Sequence, residues 1–557
     1  QTGGLTKVGS GSLTLSGANT YEGATLISSG TLAISHASGL GSAAAGTTVS
    51  NGAALDLVGV NVVGETLSLA GGTFKDATSS WSGAIQLSAN SFMEVGSGDT
   101  LTITGVIADG GNGYGITKLG AGTLVLSADN TYSGGSTISA GLTRLGHVRG
   151  LGTGAVTVSS GAALDVAGFN AANTWVLAGT GVASSGALTN SASSAVTLLG
   201  AMGLSADTTI KNVGELTLST VNGGFALTLD NTGRVILGGS VGGSTALSAL
   251  SVTGVATLGA NVTTTGTQTY AGAVTLSGGA RTLTGSTIHT QSTLAGGGNA
   301  LTISGAADVD GAYTDLSSLS ISGVSNLGAD VRTSGIQTYT GAVTLSGGAR
   351  TLTGSSVNTR STLAGGNNAL TITGDADIDG AFSGITDLRV SGVSNLGASV
   401  TTTGTQIYVG AVTLSGGART LTGSTINTQS TLDGGGNALT ITGAADFDSD
   451  VTNLASLSVS GAADLGGNIT STGTQTYADA VTLSGGDRTL IGSTVNTQST
   501  LAGGGNALTI TGAADIDGVY SGITNLSVSG TSNIGANVTT TGTQTYAGAV
   551  TLSGGYV

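Results

Sequence analysis

Residues 268–279 read QTYAGAVTLSGG, and this string returns with small changes through the second half of the chain. Its tyrosine recurs at one constant sequence step, at Tyr270, Tyr339, Tyr408, Tyr477 and Tyr546, which defines a 69-residue repeat. The same step links Arg281, Arg350, Arg419 and Arg488, and also Leu250, Leu319, Leu388, Leu457 and Leu526. A fixed period of this length predicts a repeat architecture, in which each unit is stable only when it packs against its neighbours.

The local pattern of the repeats is typical of short β-strands. Stretches such as LTLS, VTLS, LTIT and LSVS alternate an aliphatic residue with Ser or Thr, the period-two pattern of a strand with one buried face. Gly, Asn, Asp and Ser separate these stretches, and no run has a helical period. The pattern predicts an all-β fold, which leaves a sandwich array, a propeller, a barrel and a solenoid as alternatives.

Composition favours the solenoid. The 557-residue chain has 101 Gly, no Pro and 3% aromatic residues, whereas an average chain of this length would carry roughly 28 Pro. Because Pro cannot donate to a β-ladder, it is disfavoured where nearly every strand has neighbours on both sides. A narrow interior of stacked aliphatic residues also needs few aromatic rings. We therefore predict one elongated rod of about 25 coils, three coils of about 23 residues per repeat, on the order of 120 Å long.

Charge and residue usage exclude several classes of partner. The formal net charge is −15 and the pI is about 4.3, which argues against nucleic acid or anionic lipid as a partner. The chain has no Cys, so it can form neither a disulfide nor a Cys-ligated zinc site. No apolar run approaches the ~20 residues of a membrane-spanning helix.

A different repeat lies in the N-terminal part. The stretch GGLTKVGSGSLTLSGANTYEGATLISSGTL (residues 3–32) returns as GYGITKLGAGTLVLSADNTYSGGSTISAGLT (residues 113–143). Lys7 thereby corresponds to Lys118, and Tyr21 corresponds to Tyr132. The sequence predicts three segments: a solenoid with two such repeats at 1–170, an irregular solenoid bridge at 171–241, and the array of 69-residue repeats at 242–557.

The N-terminal motif resembles the autotransporter-associated β-strand repeat of passenger domains secreted by Gram-negative bacteria, with GGLTKVGSGSLTLSGANTYEGATLISSGTLAI (residues 3–34) as the stretch that carries the likeness. The 69-residue array is similar to repeats of filamentous-haemagglutinin-like and autotransporter adhesins. This resemblance implies a right-handed parallel β-helix. It also implies export through an outer-membrane pore by type V secretion, and a role at the cell surface in adhesion, aggregation or biofilm.

A serine-nucleophile motif is present but lacks its context. The stretch GGSVG places Ser240 in a G-x-S-x-G pattern, which a Gly- and Ser-rich chain matches by chance and which needs a strand–turn–helix. The only available histidine bases are His36, His147 and His289. His289 takes the place of Asn358, Asn427 and Asn496 in the other repeats, so we interpret it as a variant at a polar turn.

Paired aspartates recur with the long repeat, as Asp308/Asp310, Asp377/Asp379, Asp446/Asp448 and Asp515/Asp517. The D-x-D spacing places both carboxylates on one face of a strand. Calcium binding is an open alternative, but the EF-hand spacing and the GGxGxD repeat are missing. We expect solvated outward pairs, with Ile378 and Ile516 pointing inward and roughly 14 Å between successive pairs.

Three other repeated features have structural and functional interpretations. Asn299, Asn368, Asn437 and Asn506 follow Gly-rich stretches and predict turns. The tyrosine series is expected to lie outward or at coil corners, with a carbohydrate-stacking row as the alternative. Threonine-rich runs such as VTTTGTQTY would suit ice binding only if they stacked on successive coils.

The sequence therefore predicts a non-enzymatic, secreted β-solenoid that acts as an adhesin stalk or extracellular fibre. We expect no catalytic, cofactor-binding or metal-binding residues, and no cofactor. The expected partners are surface glycans or proteins, or other copies of the chain stacked head to tail, because neither Gln1 nor the final GGYV resembles a cap. The alternatives are a carbohydrate-binding surface protein and a β-helix polysaccharide-active enzyme. The enzyme's site is sought near Lys211, Glu215 and Asp230.

Overall fold

The computed structural model describes residues 2–554, in which 67 strands and one 3₁₀ turn, Val182–Ser184, contain all the regular structure. The strands stack in parallel as a β-solenoid of about 29 turns, which confirms the predicted all-β solenoid. Gln1 and residues 555–557, to which the prediction of uncapped ends refers, lie outside the described residues.

The chain forms two compact units, residues 1–287 and 288–557; the three segments predicted from the sequence stay a prediction. The strands of the first unit are Leu5–Lys7, Ser12–Leu15, Thr25–Ile27, Thr31–Ile34, Thr47–Ser50, Ala54–Val58, Asn61–Val62, Leu67–Ala70, Thr73–Ala77, Ser79–Trp81, Ile85–Ala89, Ser91–Val95, Thr100–Ile103, Ile107–Ala108, Ile116–Leu119, Thr123–Leu126, Ser136–Ile138, Gly141–Leu145, Val156–Val158, Ala162–Asp165, Trp175–Gly179, Leu188–Asn190, Val196–Leu198, Met202–Asn212, Leu216–Leu218, Val221–Asn222, Ala226–Asn231, Arg234–Leu237, Ala249–Val252, Val255–Leu258, Val262–Thr263, Gln268–Tyr270 and Val274–Leu276.

The strand Arg281–Thr290 contains the limit between the units. The strands of the second unit are Leu294–Ala295, Leu301–Val309, Tyr313–Leu316, Leu319–Ile321, Ser325–Leu327, Val331–Thr333, Gln337–Tyr339, Val343–Leu345, Arg350–Thr359, Leu363–Ile378, Phe382–Val390, Ser394–Leu396, Val400–Thr402, Thr405–Tyr408, Val412–Leu414, Arg419–Thr428, Leu432–Asp433, Ala438–Phe447, Val451–Leu454, Ser456–Val459, Ala463–Leu465, Ile469–Ser471, Gln475–Tyr477, Val481–Leu483, Arg488–Thr497, Leu501–Ala502, Leu508–Ile516, Tyr520–Ile523, Leu526–Val528, Ser532–Ile534, Val538–Thr540, Gln544–Tyr546 and Val550–Leu552.

The core consists of columns of side chains that stack from one turn to the next. In the second unit, Val343, Leu363, Phe382, Val400 and Leu421 are successive register partners. Each of these side chains is at most 1% exposed. The alternation of aliphatic and polar residues places one face of most strands in this core. Because each strand pairs with the turns below and above, the backbone ladder and the core extend together.

The turns are shorter than predicted. Leu319 pairs with Gln337, Gln337 with Val357, and Val357 with Ala376, so the residue number advances by 18, then 20, then 19 over three successive turns. The predicted division of the 69-residue repeat into three coils is therefore wrong. A turn is built from three short strand segments that follow one another closely, rather than from longer strands joined by loops.

The 69-residue repeat does not contain a whole number of turns. If the strand pairings are followed upward from the strand Leu319–Ile321, eleven turns pass before the equivalent strand of a later repeat, Leu526–Val528, lies in the same column of stacked strands. Leu526 lies three repeats after Leu319, so one repeat spans 3⅔ turns. One repeat later, Leu388 lies in a different column, between Leu370 and Gln406. Each repeat is therefore shifted by one strand column relative to the repeat before it.

The three columns nevertheless provide the same environment. The tyrosine hydroxyl donates to the oxygen of the glutamine two residues earlier in successive repeats: Gln337–Tyr339 at 2.9 Å, Gln406–Tyr408 at 3.0 Å and Gln475–Tyr477 at 3.1 Å. These pairs lie in three different columns, and every member is fully buried. The repeat geometry is therefore preserved after a rotation about the stacking direction.

The predicted outward position of the tyrosines is wrong for four of them. Tyr270, Tyr339, Tyr408 and Tyr477 are at most 1% exposed, and Tyr546 is half-buried. Their hydroxyls need a buried acceptor, and the sequence supplies one because Gln and Tyr at positions i and i+2 share a strand face. The QTY triplet thus contained a signal for burial that the prediction did not use.

The predicted role of the repeated asparagines in turns is confirmed. Asn437 Nδ2 donates to the carbonyl oxygen of Gly434 at 3.1 Å and to that of Leu414, one turn below, at 3.3 Å. The left-handed conformations fall on the preceding Gly435 and Gly436, with φ of 58° and 75°. The asparagine side chain therefore fixes a corner that the two glycines bend.

The irregular part of the first unit has its own internal polar column. Asn190 pairs in register with Asn212, and Asn212 with Asn231. All three are buried, and their side-chain amides donate to one another or to neighbouring carbonyl oxygens. Such a ladder satisfies the buried amides turn by turn.

The backbones of two successive turns of the array approach each other closely at a pair of glycines. A Cβ on Gly443 would overlap the carbonyl oxygen of Gly423, and the equivalent pairs Gly374/Gly354 and Gly512/Gly492 have the same close approach. The φ of Gly443 is 124°. Gly417 has almost the same φ, 123°, but no atom lies within 4 Å of its Cβ position. Gly443 therefore needs glycine both for its positive φ and for lack of space, whereas Gly417 needs it only for its positive φ.

We predict that Gly443→Ala destabilises the array by at least about 3 kcal/mol, because the side chain overlaps backbone that cannot retreat. Gly417→Ala is the matched control and should cost about 1 kcal/mol, the strain of its φ alone. Hydrogen–deuterium exchange of residues 419–447 should be faster in the first variant than in the second. Equal exchange in the two variants would contradict the close approach.

Candidate functional site

The repeated aspartate pairs lie on the surface as predicted. Asp377 is half-buried and Asp379 is exposed, while Ile378 between them is fully buried; Ile516 is buried in the same way. Asn395, one turn above, donates its Nδ2 to Asp377 Oδ1 at 2.8 Å. The inner carboxylate of the pair is thus held by an amide from the next turn.

The pairs do not form a row. Because one repeat spans 3⅔ turns, Asp308, Asp377 and Asp446 pair with strands of three different columns. The predicted spacing of three coils between successive pairs is therefore wrong. The threonine-rich runs are distributed among the faces in the same way. An ordered binding array that needs the same residues on successive turns of one face is therefore absent from the described part of the 69-residue array.

In the third pair, Asp446/Asp448, several neighbours act on the inner carboxylate. Burial raises the pKa of Asp446, a hydrogen bond from Asn427 lowers it, and the charges of Asp448 and Asp464 raise it further. Asn427 Nδ2 lies 2.5 Å from Asp446 Oδ2 and 3.5 Å from Asp448 Oδ2. An amide from the turn below therefore bridges both carboxylates of the pair.

In the first pair an imidazole takes the position of that amide. His289 Nε2 lies 2.8 Å from Asp310 Oδ2 and 3.5 Å from Asp308 Oδ2. Within residues 2–554, these three side chains form the one group of three or more His, Cys, Asp and Glu residues with metal-ligand spacing. The sequence interpretation of His289 as a turn variant missed this contact, because the contact depends on which residues of successive turns are paired.

The structure does not assemble a serine triad. His36 Nδ1 accepts a hydrogen bond from the backbone N–H of Ser38 at 3.1 Å, and His147 Nδ1 accepts one from that of Arg149 at 3.2 Å. His289 contacts the aspartates described above. No hydrogen bond joins any of the three histidines to Ser240 in residues 2–554, and no helix follows Ser240 there.

The place chosen for the enzyme alternative holds paired opposite charges. Lys211 and Asp230 are register partners on successive turns, with Nζ and Oδ2 3.0 Å apart. Glu215 Oε2 lies 4.0 Å from an Arg234 nitrogen. Glycoside hydrolysis requires two carboxylates that face each other across the scissile bond. Here each carboxylate lies beside a positively charged side chain instead.

The N-terminal repeats carry a shared set of buried polar contacts. Lys118 Nζ donates to the carbonyl oxygens of Leu119, Gly120 and Ala140 at 2.8, 2.7 and 3.2 Å. Lys7 Nζ makes the equivalent three bonds, to Val8, Gly9 and Ser29. The repeated lysine therefore links the corner that follows its own strand to a carbonyl group one turn above. This structural role accounts for its recurrence in the motif.

The repeated tyrosine of the same motif is fully buried in the second copy, at Tyr132, and half-buried in the first, at Tyr21. The hydroxyls of Tyr132 and Ser136 lie 2.7 Å apart, as do those of Tyr21 and Thr25. Burial raises the pKa of Tyr132 far above its usual value, and the hydrogen bond to Ser136 lowers it only in part. Asn130 Nδ2 donates to the carbonyl oxygen of Gly150 at 2.6 Å, which matches the Asn19–Gly39 bond of the first copy at 2.7 Å.

Comparison with known proteins identifies the same two stretches. The passenger-associated-transport-repeat family matches residues 5–34 and 116–143, which confirms the resemblance to autotransporter passengers. The chain is 37% identical over 143 residues to the adhesin BmaC autotransporter of Brucella suis biovar 1 (strain 1330). The match covers 25% of this chain and 4% of that protein. No solved structure matches significantly, and no helix in residues 2–554 is long and apolar enough to cross a membrane.

The buried lysine generates a pH-dependence prediction. Burial lowers the pKa of Lys118 to about 8 in the folded chain, while the unfolded chain keeps it near 10.4. Between these values the unfolded state binds more protons, so the stability of the first unit should rise with pH from about 8 towards 10. Above pH 10 the raised pKa of Tyr132 acts in the opposite direction, because only unfolded tyrosine ionises.

We expect the thermal midpoint of the wild-type chain to rise between pH 8 and 9.5. In Lys118→Met this rise should be reduced, because the substituted side chain does not titrate. The variant should also be less stable at pH 9.5, because the neutral amine of the wild-type side chain still donates two hydrogen bonds and methionine donates none, at about 1–3 kcal/mol for each unsatisfied group. Parallel pH profiles of the two proteins would contradict the proposed titration.

Proposed function

We propose that this chain is a non-enzymatic part of an autotransporter-type adhesin passenger and acts as a stalk on the bacterial surface. The observation that carries the proposal is that each 69-residue repeat spans 3⅔ turns and yet forms the same internal Gln–Tyr hydrogen bond in every strand column. An array of this kind gains length by duplication of repeats, because each added repeat meets the same ladder and the same core. The passenger-associated repeats and the similarity to an adhesin autotransporter support the same role.

The surface chemistry supports a structural role. Only 8% of the residues are charged, and aspartates such as Asp377 and Asp515 are held by amides from the next turn. The enzyme alternative loses support because Lys211 and Asp230 pair with each other. The carbohydrate-binding alternative loses its stacking row, because four of the five repeated tyrosines are buried.

The proposed location is extracellular, at the bacterial cell surface, and the proposed partners are glycans or proteins of host or bacterial surfaces. Aggregation and biofilm formation belong to the same proposal. Head-to-tail stacking of copies stays a prediction. Electron microscopy of the purified chain over a dilution series tests it: fibres that persist on dilution would support stacking, and discrete particles at every concentration would contradict it.

The stalk proposal predicts that adhesion depends on the number of repeats and not on their identity. In the parent adhesin displayed on bacteria, deletion of positions 319–387 and deletion of positions 388–456 each remove one complete repeat. Both deletions should reduce adhesion to host cells to the same extent. Replacement of the first of these repeats by a second copy of the other restores the length and should restore adhesion.

An antibody against the N-terminal repeats provides the control for export and surface exposure in this experiment. Loss of adhesion in one deletion alone, without recovery on replacement, would show that a particular repeat binds the receptor. Adhesion independent of the number of repeats would also contradict the stalk.

A further inference from the structure

We propose that His289, Asp308 and Asp310 bind one divalent transition-metal ion of the Zn²⁺ class. The three side chains come from two successive turns of the second unit, with His289 in the strand Arg281–Thr290 and Asp308 in the strand Leu301–Val309. A bound ion would therefore join two turns. This site goes beyond the stalk proposal and does not depend on it.

The spacing of the ligand atoms fits a tetrahedral ion. With Zn–N and Zn–O distances of about 2.0–2.2 Å, tetrahedral ligand atoms lie about 3.3–3.5 Å from one another. His289 Nε2 is 3.5 Å from Asp308 Oδ2 and 2.8 Å from Asp310 Oδ2. The separation from Asp308 already matches, and the separation from Asp310 needs only a small outward shift of that carboxylate, whose side chain is 48% exposed. The three ligand atoms all lie within 4.8 Å of one another.

Two contacts position the aspartates, one at the carboxylate of Asp308 and one at the backbone of Asp310. Asn326 Nδ2 donates to Asp308 Oδ1 at 2.8 Å, which leaves Oδ2 directed towards the imidazole. The backbone N–H of Asp310 donates to the carbonyl oxygen of Thr290 at 3.0 Å, which fixes Asp310 beside the strand that carries His289. Partners that orient ligands in this way increase the affinity of metal sites.

The donor set selects the class of ion. An imidazole nitrogen with two carboxylate oxygens suits Zn²⁺ and similar ions, whereas Ca²⁺ and Mg²⁺ prefer oxygen ligands alone. Two carboxylates and a neutral imidazole also balance the charge of a divalent ion. The side chains of His289, Asp308 and Asp310 are 23%, 34% and 48% exposed, so water can complete the coordination.

The other repeats show why the site belongs to one repeat. Asn358, Asn427 and Asn496 pair in register with Asp377, Asp446 and Asp515, in the position that His289 takes beside Asp308. An amide nitrogen donates a hydrogen bond to the carboxylates, as Asn427 does, but it has no lone pair for a metal. Exchange of His and Asn at this repeat position therefore offers one variant that should lose the metal site and one that should gain it.

The test is zinc titration of the purified chain by isothermal calorimetry, with calcium as the comparison ion. We expect wild type to bind one Zn²⁺ more tightly than Ca²⁺. His289→Asn restores the residue of the other repeats, so it should fold normally and lose at least ~100-fold in zinc affinity. Asn358→His places an imidazole beside Asp377 and Asp379, with Asn395 in the supporting position, and should bind a second Zn²⁺.

Proton–carbon NMR of the histidine rings identifies the ligand, because the chain has three histidines. The ring signal of His289, assigned with His289→Asn, should shift on zinc addition while those of His36 and His147 remain. An absence of zinc binding, or equal binding by wild type and His289→Asn, would show that His289 only contacts the aspartates and would overturn the proposal. Failure of Asn358→His to gain a site would also contradict it.

Discussion

The parallel backbone ladder between successive turns is the constraint on which the rest of the structure depends. Each strand segment must lie directly above a segment of the previous turn, because its N–H and C=O groups have no other partners. In the 69-residue array this requirement sets the length of a turn through the pairing of Leu319 with Gln337 and of Gln337 with Val357, whatever the period of the sequence. The sequence repeat must then contain a whole number of segments, but it need not contain a whole number of turns.

The shift of each repeat by one strand column follows from this freedom. A repeat that closed on whole turns would place every surface feature in line on one face, whereas the array distributes its aspartates and threonines among three faces. The internal contacts are not affected by the shift, because the Gln–Tyr pair has the same geometry in each column. A surface that is similar all round is consistent with a stalk, which must separate two ends rather than bind along one side.

The two kinds of repeat use polar groups inside the solenoid differently. The passenger-associated repeats bury a lysine whose ammonium group is held by three carbonyl oxygens, and the long repeats bury a glutamine and a tyrosine that satisfy each other. In both, a buried polar group links a corner to a neighbouring segment at a fixed place. Since Gly-rich strands specify the register poorly, these groups supply positions at which only one register satisfies every hydrogen bond.

The sequence by itself determined the strand content, the solenoid class, the outward aspartates with Ile378 inside, the asparagine turns and the resemblance to passengers, because in-and-out alternation and turn chemistry are local properties. The length of a turn and the meeting of His289 with Asp308 and Asp310 were decided by the tertiary structure. Each of these depends on which residues of successive turns lie side by side. That register results from hydrogen bonds and packing between turns, and a difference of one residue at a corner exchanges the inward and outward faces.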